Sequence, residues 1–322
     1  MRKDALTLVN ARLRCAQCGE TGGWKATGRP EKRQQSIIHR MRCGRCGEAV
    51  VAKAVSSHGF GKDAVMHGRK EYETLRALQH AFPQEGSYGT LVPVDYLEWP
   101  GGGMMITRWS DGMNLQHYAR ELDQATVGRA FEAAGGWLRK LHHSDGANHT
   151  SRPLDVEDKL EYLRETYGRI LLSRQAVFGA FQLLQDAAAH IATLPAMTVR
   201  LHGDFKPANI LWDGGRCTGV DIHYAAVGAV VYDLAPFLNH LWIDAGGARG
   251  SRARQRRKIA EAGFLAGYGY TGSSGILRWA QLYFALHYLG DYSRRGALRG
   301  AYAQWQLQPL VRELVQQVRN AV

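Results

Sequence analysis

The run His202-Gly203-Asp204-Phe205-Lys206-Pro207-Ala208-Asn209-Ile210-Leu211 constrains this chain more than any other stretch. It sets an aspartate and an asparagine five residues apart between two β-type runs, Thr198 to Leu201 and Asn209 to Trp212. A third short apolar run, Cys217 to Val220, delivers Asp221 twelve residues beyond Asn209. An Asp-x4-Asn pair alone says little, because both residues are common in loops. With His-Gly ahead of it, apolar flanks and a later carboxylate, the pattern supplies what phosphoryl transfer from a nucleotide needs. One carboxylate orients the attacking hydroxyl, while an amide and a second carboxylate hold metal ions against the phosphates.

Near the start stand Cys15-Ala16-Gln17-Cys18-Gly19 and Cys43-Gly44-Arg45-Cys46-Gly47, two Cys-x-x-Cys knuckles with 24 residues between them. Four thiolates in this spacing predict a tetrahedral zinc site. Glycine after each second cysteine lets the backbone turn tightly under the thiolates. Disulfides suit a chain with a secretory leader, and none is evident here. A pair of redox motifs is the other reading, but neither knuckle opens a helix after a strand. The segment reads as zinc-ribbon-like. It serves either as a staple for folding or as a binding module, for which Trp24, Lys25, Arg29, Lys32, Arg33, His39, Arg40 and Arg42 would suit nucleic acid or protein. The staple is preferred, because the strand-like run Ala49 to Val55, which carries Lys53, follows Cys46 almost at once. The fifth cysteine, Cys217, lies in an apolar run and is expected to be a buried small residue.

The 322 residues suffice for one large two-part unit or two domains. No apolar run reaches the length of a membrane span, and the first residues lack the apolar block of a signal peptide, so the expected location is cytoplasmic. Lys and Arg number 41 against 29 Asp and Glu, a formal charge of +12. Part of that excess falls in Arg249, Arg252, Arg254, Arg256, Arg257 and Lys258, and in Arg294, Arg295 and Arg299. Such clusters meet phosphates or acidic substrates, or simply face water. They argue mildly against a polycationic substrate.

Between the knuckles and the Asp-x4-Asn loop the pattern changes from strands to helices. Lys70 to Leu78 is helical, with Leu75 and Leu78 on one face and Glu71 one turn before Leu75. Leu91 to Trp109 reads as a β-hairpin about a Pro100-Gly101-Gly102-Gly103 turn, and a helix is expected to begin near Asn114. Further helices are expected over Ala125 to His143, Val156 to Ser173, Gln175 to Thr193, Leu234 to Ile243, Arg257 to Tyr268, Gly275 to Leu289 and Ala301 to Val318. His142 and His143 diverge on a helix and read as its C-terminus, packed near the catalytic loop, rather than as metal ligands.

Together these residues resemble the aminoglycoside phosphotransferase and choline kinase group, relatives of the protein kinases. The likeness runs from about Val50 to Trp242 and is strongest from Leu201 to Ala235, where His-x-Asp-x4-Asn has the kinase catalytic-loop form. The resemblance implies an α+β, two-lobed protein-kinase-like fold, with a small β-rich N-lobe bearing the zinc-ribbon element and a large helical C-lobe. The expected division is 1–50 for the zinc-ribbon-like segment, 51–110 for the N-lobe and 111–322 for the C-lobe. It further implies that Asp204 is the catalytic base, that Lys206 touches the γ-phosphate, and that Asn209 and Asp221 bind magnesium. Lys53 would contact the ATP phosphates, Glu71 would position Lys53, and Thr107 and Trp109 would lie beside the adenine. Asp233, in Tyr232-Asp233-Leu234-Ala235, would brace the catalytic loop.

The sequence departs from the kinase pattern in three ways. Ile222-His223 follows Asp221 in place of Phe-Gly, and no Gly-x-Gly-x-x-Gly precedes Lys53. Gly22-Gly23, the Thr27-Gly28 turn and Gly59-Phe60-Gly61-Lys62 are therefore alternative phosphate-covering loops, unless the ribbon reshapes that loop entirely. The ribbon itself has no customary place in this group. Only eleven residues separate Asp221 from Asp233 and no Ala-Pro-Glu follows, which leaves little room for a peptide platform. The expected activity is ATP- and magnesium-dependent transfer of the γ-phosphate to a hydroxyl of a small molecule or glycan, with Zn2+ as a third cofactor. The alternatives are a kinase-fold regulator that binds nucleic acid or protein through the ribbon, and a protein kinase with a dedicated substrate.

Overall fold

A computed structural model of the chain describes residues 2–33, 36–56, 62–117, 123–144, 150–172, 175–223, 226–244 and 250–321. The chain forms two compact units, one of Met1–Gly112 with Thr218–His223, the other of Met113–Cys217 with Tyr224–Val322. Arg249, and Gly59 to Gly61 of one candidate phosphate loop, lie outside the described residues.

The first unit opens with α1 (Arg2–Arg12), a helix that the sequence reading lacked. Ala5 and Val9, with Leu13 one turn on, recur every four residues and are buried. The strands are β1 (Trp24–Ala26), β2 (Glu31–Lys32), β3 (Ile37–Cys43) and β4 (Ala49–Ser56). After α2 (Lys62–Leu78) come β5 (Tyr88–Thr90), β6 (Pro93–Trp99) and β7 (Gly102–Arg108). One sheet runs in the order β1-β3-β4-β7-β6, with β2 also paired to β3. Alternation along β4 gives each side of this sheet a role. Val50, Ala52 and Ala54 enter an apolar core with Val9, Trp24, Met41 and Ile106, while Lys53 takes the other side. The β6–β7 turn is tighter than expected. Trp99 pairs with Gly102, leaving Pro100 and Gly101 as the turn, and a side chain at Gly102 would overlap the Trp99 ring.

The second unit contains β8 (Met113–Asn114), α3 (Gln124–His142), β9 (Thr150–Pro153), α4 (Val156–Leu172), α5 (Gln175–Thr193) and β10 (Pro195–Arg200). A 3-10 turn at Pro207–Asn209 then leads into β11 (Ile210–Trp212). β12 (Cys217–Gly219) follows, its Thr218 and Gly219 belonging to the first unit, and the second unit continues with β13 (Val227–Ala229), α6 (Val231–Asp244), α7 (Ser251–Tyr268), α8 (Ser274–Arg294) and α9 (Ala297–Ala321). Asn114 ends β8 and also caps the helix expected there: helical residues begin at Leu115, and the Asn114 Oδ1 accepts the His117 N–H at 3.2 Å. α7 begins six residues earlier than the sequence suggests, because Arg252 to Lys258 belong to the helix rather than to a loop, with the Arg257 guanidinium 3.4 Å from the centre of the Trp242 ring. Among the described residues no helix is long and apolar enough to cross a membrane.

Glycines bring α3 and α7 backbone to backbone. A Cβ on Gly135 would overlap the Phe264 carbonyl, one on Gly267 would overlap the Glu132 carbonyl, and one on Gly263 would come within 2.7 Å of the Gly128 carbonyl. We expect Gly267→Ala to force the helices apart, cost about 3 kcal/mol through overpacking and lower Tm by several degrees. Gly168 in α4 has open space at its Cβ, so Gly168→Ala should raise Tm through helix propensity. Equal melting of the two variants would refute the close-packing argument.

Candidate active site

The loop after β10 is held by one buried carboxylate. Asp233, in the first turn of α6, accepts the His202 N–H at 2.6 Å on Oδ2 and the Gly203 N–H at 3.1 Å on Oδ1. Gly203 has φ 89°, a left-handed conformation that glycine adopts readily and that turns consecutive amides onto one acceptor. His142 Nε2 reaches the same Oδ2 at 3.0 Å, and its Nδ1 lies 2.9 Å from the Tyr268 hydroxyl. Burial opposes the charged form of Asp233, but its bond and charge interaction with His142, with His202 beyond, hold it below the usual carboxylate range. His142 thus joins the Asp233 carboxylate, through Nε2, to the Tyr268 hydroxyl, through Nδ1. The sequence reading had His142 near the loop; it had no signal for Tyr268.

Phe205 plugs this loop into the core. Its ring stacks on Trp137 at 5.8 Å and on Phe237 at 4.9 Å, and it is fully buried. Its neighbours point the other way. Lys206 Nζ donates to Asp204 Oδ2 at 2.6 Å, across a pair that is partly open to solvent. Asn209 Nδ2 donates to the Asp204 carbonyl at 2.9 Å and to its Oδ2 at 3.1 Å. Asn209 thus spends its amide nitrogen on Asp204, and the amide oxygen is the atom it can offer a cation. Asp204, Lys206 and Asn209 form one hydrogen-bonded cluster, with the Asp204 carboxylate at its centre.

In the first unit Lys53 Nζ donates to Glu71 Oε2 at 2.7 Å and to Asp221 Oδ1 at 2.6 Å. Glu73 faces away and meets Arg69 at 3.7 Å, so the helical phase singles out the correct glutamate of the two as the lysine's neighbour. Burial disfavours the Lys53 cation, but the two carboxylates outweigh it and raise its pKa. Burial pushes Glu71 up against the opposing pull of Lys53. Asp221 has φ 55°, alone among the described non-glycine residues in the left-handed region. Strain of this kind persists where the surroundings fix it and is concentrated at functional sites. Thr107 stands opposite Val51 in β7 and is buried. Trp109 follows the strand, its backbone N–H donating to the Ala49 carbonyl at 3.0 Å and its ring 5.0 Å from the Arg40 guanidinium. Gly22-Gly23 is engaged elsewhere, with the Gly23 carbonyl accepting the Gly44 N–H at 2.7 Å.

The two knuckles are copies of one turn. Cys15 N–H bonds to the Glu20 carbonyl and Cys43 N–H to the Glu48 carbonyl, both at 2.8 Å. Gly19 and Gly47 return to the Cys15 and Cys43 carbonyls at 2.9 and 3.0 Å, with φ 72° and 83°. The four Sγ atoms lie within 4.8 Å of one another, and the closest pairs, Cys15–Cys46 and Cys18–Cys43, are at 3.4 and 3.6 Å. Ligands about 2.3 Å from a tetrahedral zinc stand a little under 4 Å apart, so the donor set fits. Glu48, which the sequence reading did not single out, places Oε2 2.9 Å from Cys15 Sγ.

The model of the APH family, described as "Phosphotransferase enzyme family", matches residues 63–270. The four cysteines and Lys53 lie before the matched stretch. Solved structures agree at the level of fold. Macrolide 2'-phosphotransferase MphH from Brachybacterium faecium is 17% identical with TM-score 0.55, covering 89% of this chain and 93% of that one. Amicoumacin kinase hAmiN, solved with AMP-PNP and Ca2+, is 14% identical with TM-score 0.60, covering 98% and 92%. A choline/ethanolamine kinase family protein from Mesorhizobium loti is 17% identical with TM-score 0.55, covering 99% of each chain. No curated protein matches this chain in sequence. The fold is thus the expected kinase-like α+β type, with a β-rich N-terminal part and a helical C-terminal part.

Proposed function

This chain belongs to the phosphotransferase enzyme family, and from that premise we propose that it transfers the γ-phosphate of ATP, with magnesium, to a hydroxyl of a small molecule or glycan. The observation that carries the reading is the Asp204 cluster, a carboxylate half open to solvent and fixed by Lys206 and Asn209 on a loop clamped from beneath by Asp233. In this reading Asp204 accepts the proton of the attacking hydroxyl, and Lys206 supports the transferring phosphate. Lys53, set by Glu71, grips the α- and β-phosphates, and Thr107 and Trp109 border the base. Asn209 and Asp221 are the residues that would hold magnesium, whose chemistry is to neutralise charge on the phosphates. Cys15, Cys18, Cys43 and Cys46 would hold zinc as a structural staple. The division 1–50, 51–110 and 111–322 then separates the stapled segment, the nucleotide-gripping strands and the helical part with the catalytic loop.

The short link between Asp221 and Asp233 favours a small acceptor over a protein. The relatives named above as phosphorylating macrolide and amicoumacin support the same class. The test is thermal melting with ATP, with and without magnesium. We expect a magnesium-dependent rise in Tm that Asp221→Ala loses, since a ligand at about a hundred times its Kd adds about 2.7 kcal/mol. Absence of any rise in the wild-type chain would overturn the nucleotide site.

A further inference from the structure

A kinase fold that lacks a glycine-rich loop must cover the triphosphate by other means. The hairpin ahead of Lys53 is the element in position to do so. Its arms pair from Trp24 opposite Cys43 to Lys32 opposite Ile37, and the sequence from Arg33 to Ser36 contains no glycine. β3 continues this pairing into β4, where Ile38 stands across from Lys53. Glu31 stands across from Ile38 on the outer arm. Residues paired across strands share a side of the sheet, so Glu31, Ile38 and Lys53 form one row on the side away from the Val50-Ala52-Ala54 core. Arg33 Nη2 closes on Glu31 Oε1 at 2.7 Å, and the Arg33 N–H donates to the Ser36 carbonyl at 2.8 Å. Arg33 therefore holds its guanidinium against Glu31 on Lys53's side of the sheet, and Glu31 lies two strand spacings, about 10 Å, from Lys53. That span falls within the combined reach of a triphosphate and two long side chains.

The pair is an exchangeable one. Arg33 and Glu31 are 62% and 45% exposed, and an ion pair so open to water is weak. A phosphate meets a guanidinium with two parallel hydrogen bonds and more charge than a carboxylate offers. We infer that Arg33 is a phosphate-binding residue for the nucleotide, parked on Glu31 until a triphosphate displaces that carboxylate. A side-chain grip thus takes the place of a glycine-rich backbone cradle. The inference rests on the reading that Lys53 binds the phosphates of ATP.

Calorimetric titration of the full-length protein with Mg-ATP and with adenosine tests it, using the wild type, Arg33→Gln, Arg33→Lys and Glu31→Gln. Arg33→Gln should weaken ATP binding about tenfold and leave adenosine unchanged, because one charge-assisted contact to phosphate is lost. Arg33→Lys should fall between, and Glu31→Gln should bind ATP at least as tightly as the wild type. Wild-type ATP affinity in Arg33→Gln would overturn the inference, as would an equal loss for ATP and adenosine. Wild-type protein that binds neither ligand would overturn the parent reading along with it.

Discussion

Replacement of Asp204 by Ala or Asn should lower phosphoryl transfer by about a thousandfold or more while leaving nucleotide binding in place. The size follows from the role. A positioned base contributes about 100- to 10,000-fold, and loss of orientation of the attacking hydroxyl adds to that. The separation of the two effects follows from the geometry. The loop is fixed by Asp233 through the backbone of His202 and Gly203 and by the buried Phe205 ring, neither of which uses the Asp204 carboxylate. What Asp204 does hold is Lys206 and Asn209. An asparagine side chain keeps one acceptor oxygen for them where alanine keeps none, so Asp204→Asn is the cleaner variant. The measurement is acceptor-dependent ATP consumption beside the magnesium-dependent Tm shift. Unchanged turnover in Asp204→Asn would remove Asp204 from the chemistry, and a lost Tm shift would mean that it serves binding instead.

The loop and the cysteine knuckles were legible because each depends on fixed short spacings. His-Gly-Asp-x4-Asn and two copies of Cys-x-x-Cys-Gly-Glu specify local turns whose geometry needs little from elsewhere. Glu71 could be chosen over Glu73 from helical phase alone. What escaped was set by partners distant in sequence. α1 is short, with an apolar set of Ala5, Leu6, Leu8 and Val9 that means little until Val9 meets Trp24 and Met41. Tyr268 lies 126 residues from His142, and nothing in its neighbourhood marks it for that bond. The Arg33–Glu31 pair needed the register of β2 against β3, which the two-residue strand Glu31–Lys32 does not announce. The glycines of α3 and α7 could have been read as a close helix contact, since Gly263 and Gly267 stand one turn apart, but an isolated helical glycine has many explanations.

Stripping metal from the cysteine cluster should unfold the first unit, and this is the larger of the expected stability effects. Cys15 and Cys43 do not sit at the tip of an appendage. They are buried in the same apolar cluster as Val9, Trp24, Met41, Val50, Ala52 and Ala54, and the last three alternate with Val51 and Lys53 along β4. Cys43 ends β3, the strand whose Ile38 stands opposite Lys53. A zinc ion at this point would fix α1, the base of the Trp24–Cys43 hairpin and the start of β4 with one set of bonds. Structural zinc contributes about 10 kcal/mol or more to the folding of small modules, comparable to the whole stability of a typical domain. We therefore expect about one zinc per chain by elemental analysis, and a large fall in Tm on chelation or in Cys43→Ser. ATP affinity should fall with it, because the strand bearing Lys53 loses its brace, while a separate transition from the helical second unit should persist. The cysteines must be kept reduced, so that a disulfide cannot replace the metal bridge. Protein that melts at the same temperature with and without chelator, with four reactive thiols, would show that apolar packing alone holds the hairpin. A fall in ATP affinity without a fall in Tm would place the cysteines beside the nucleotide instead of beneath the sheet.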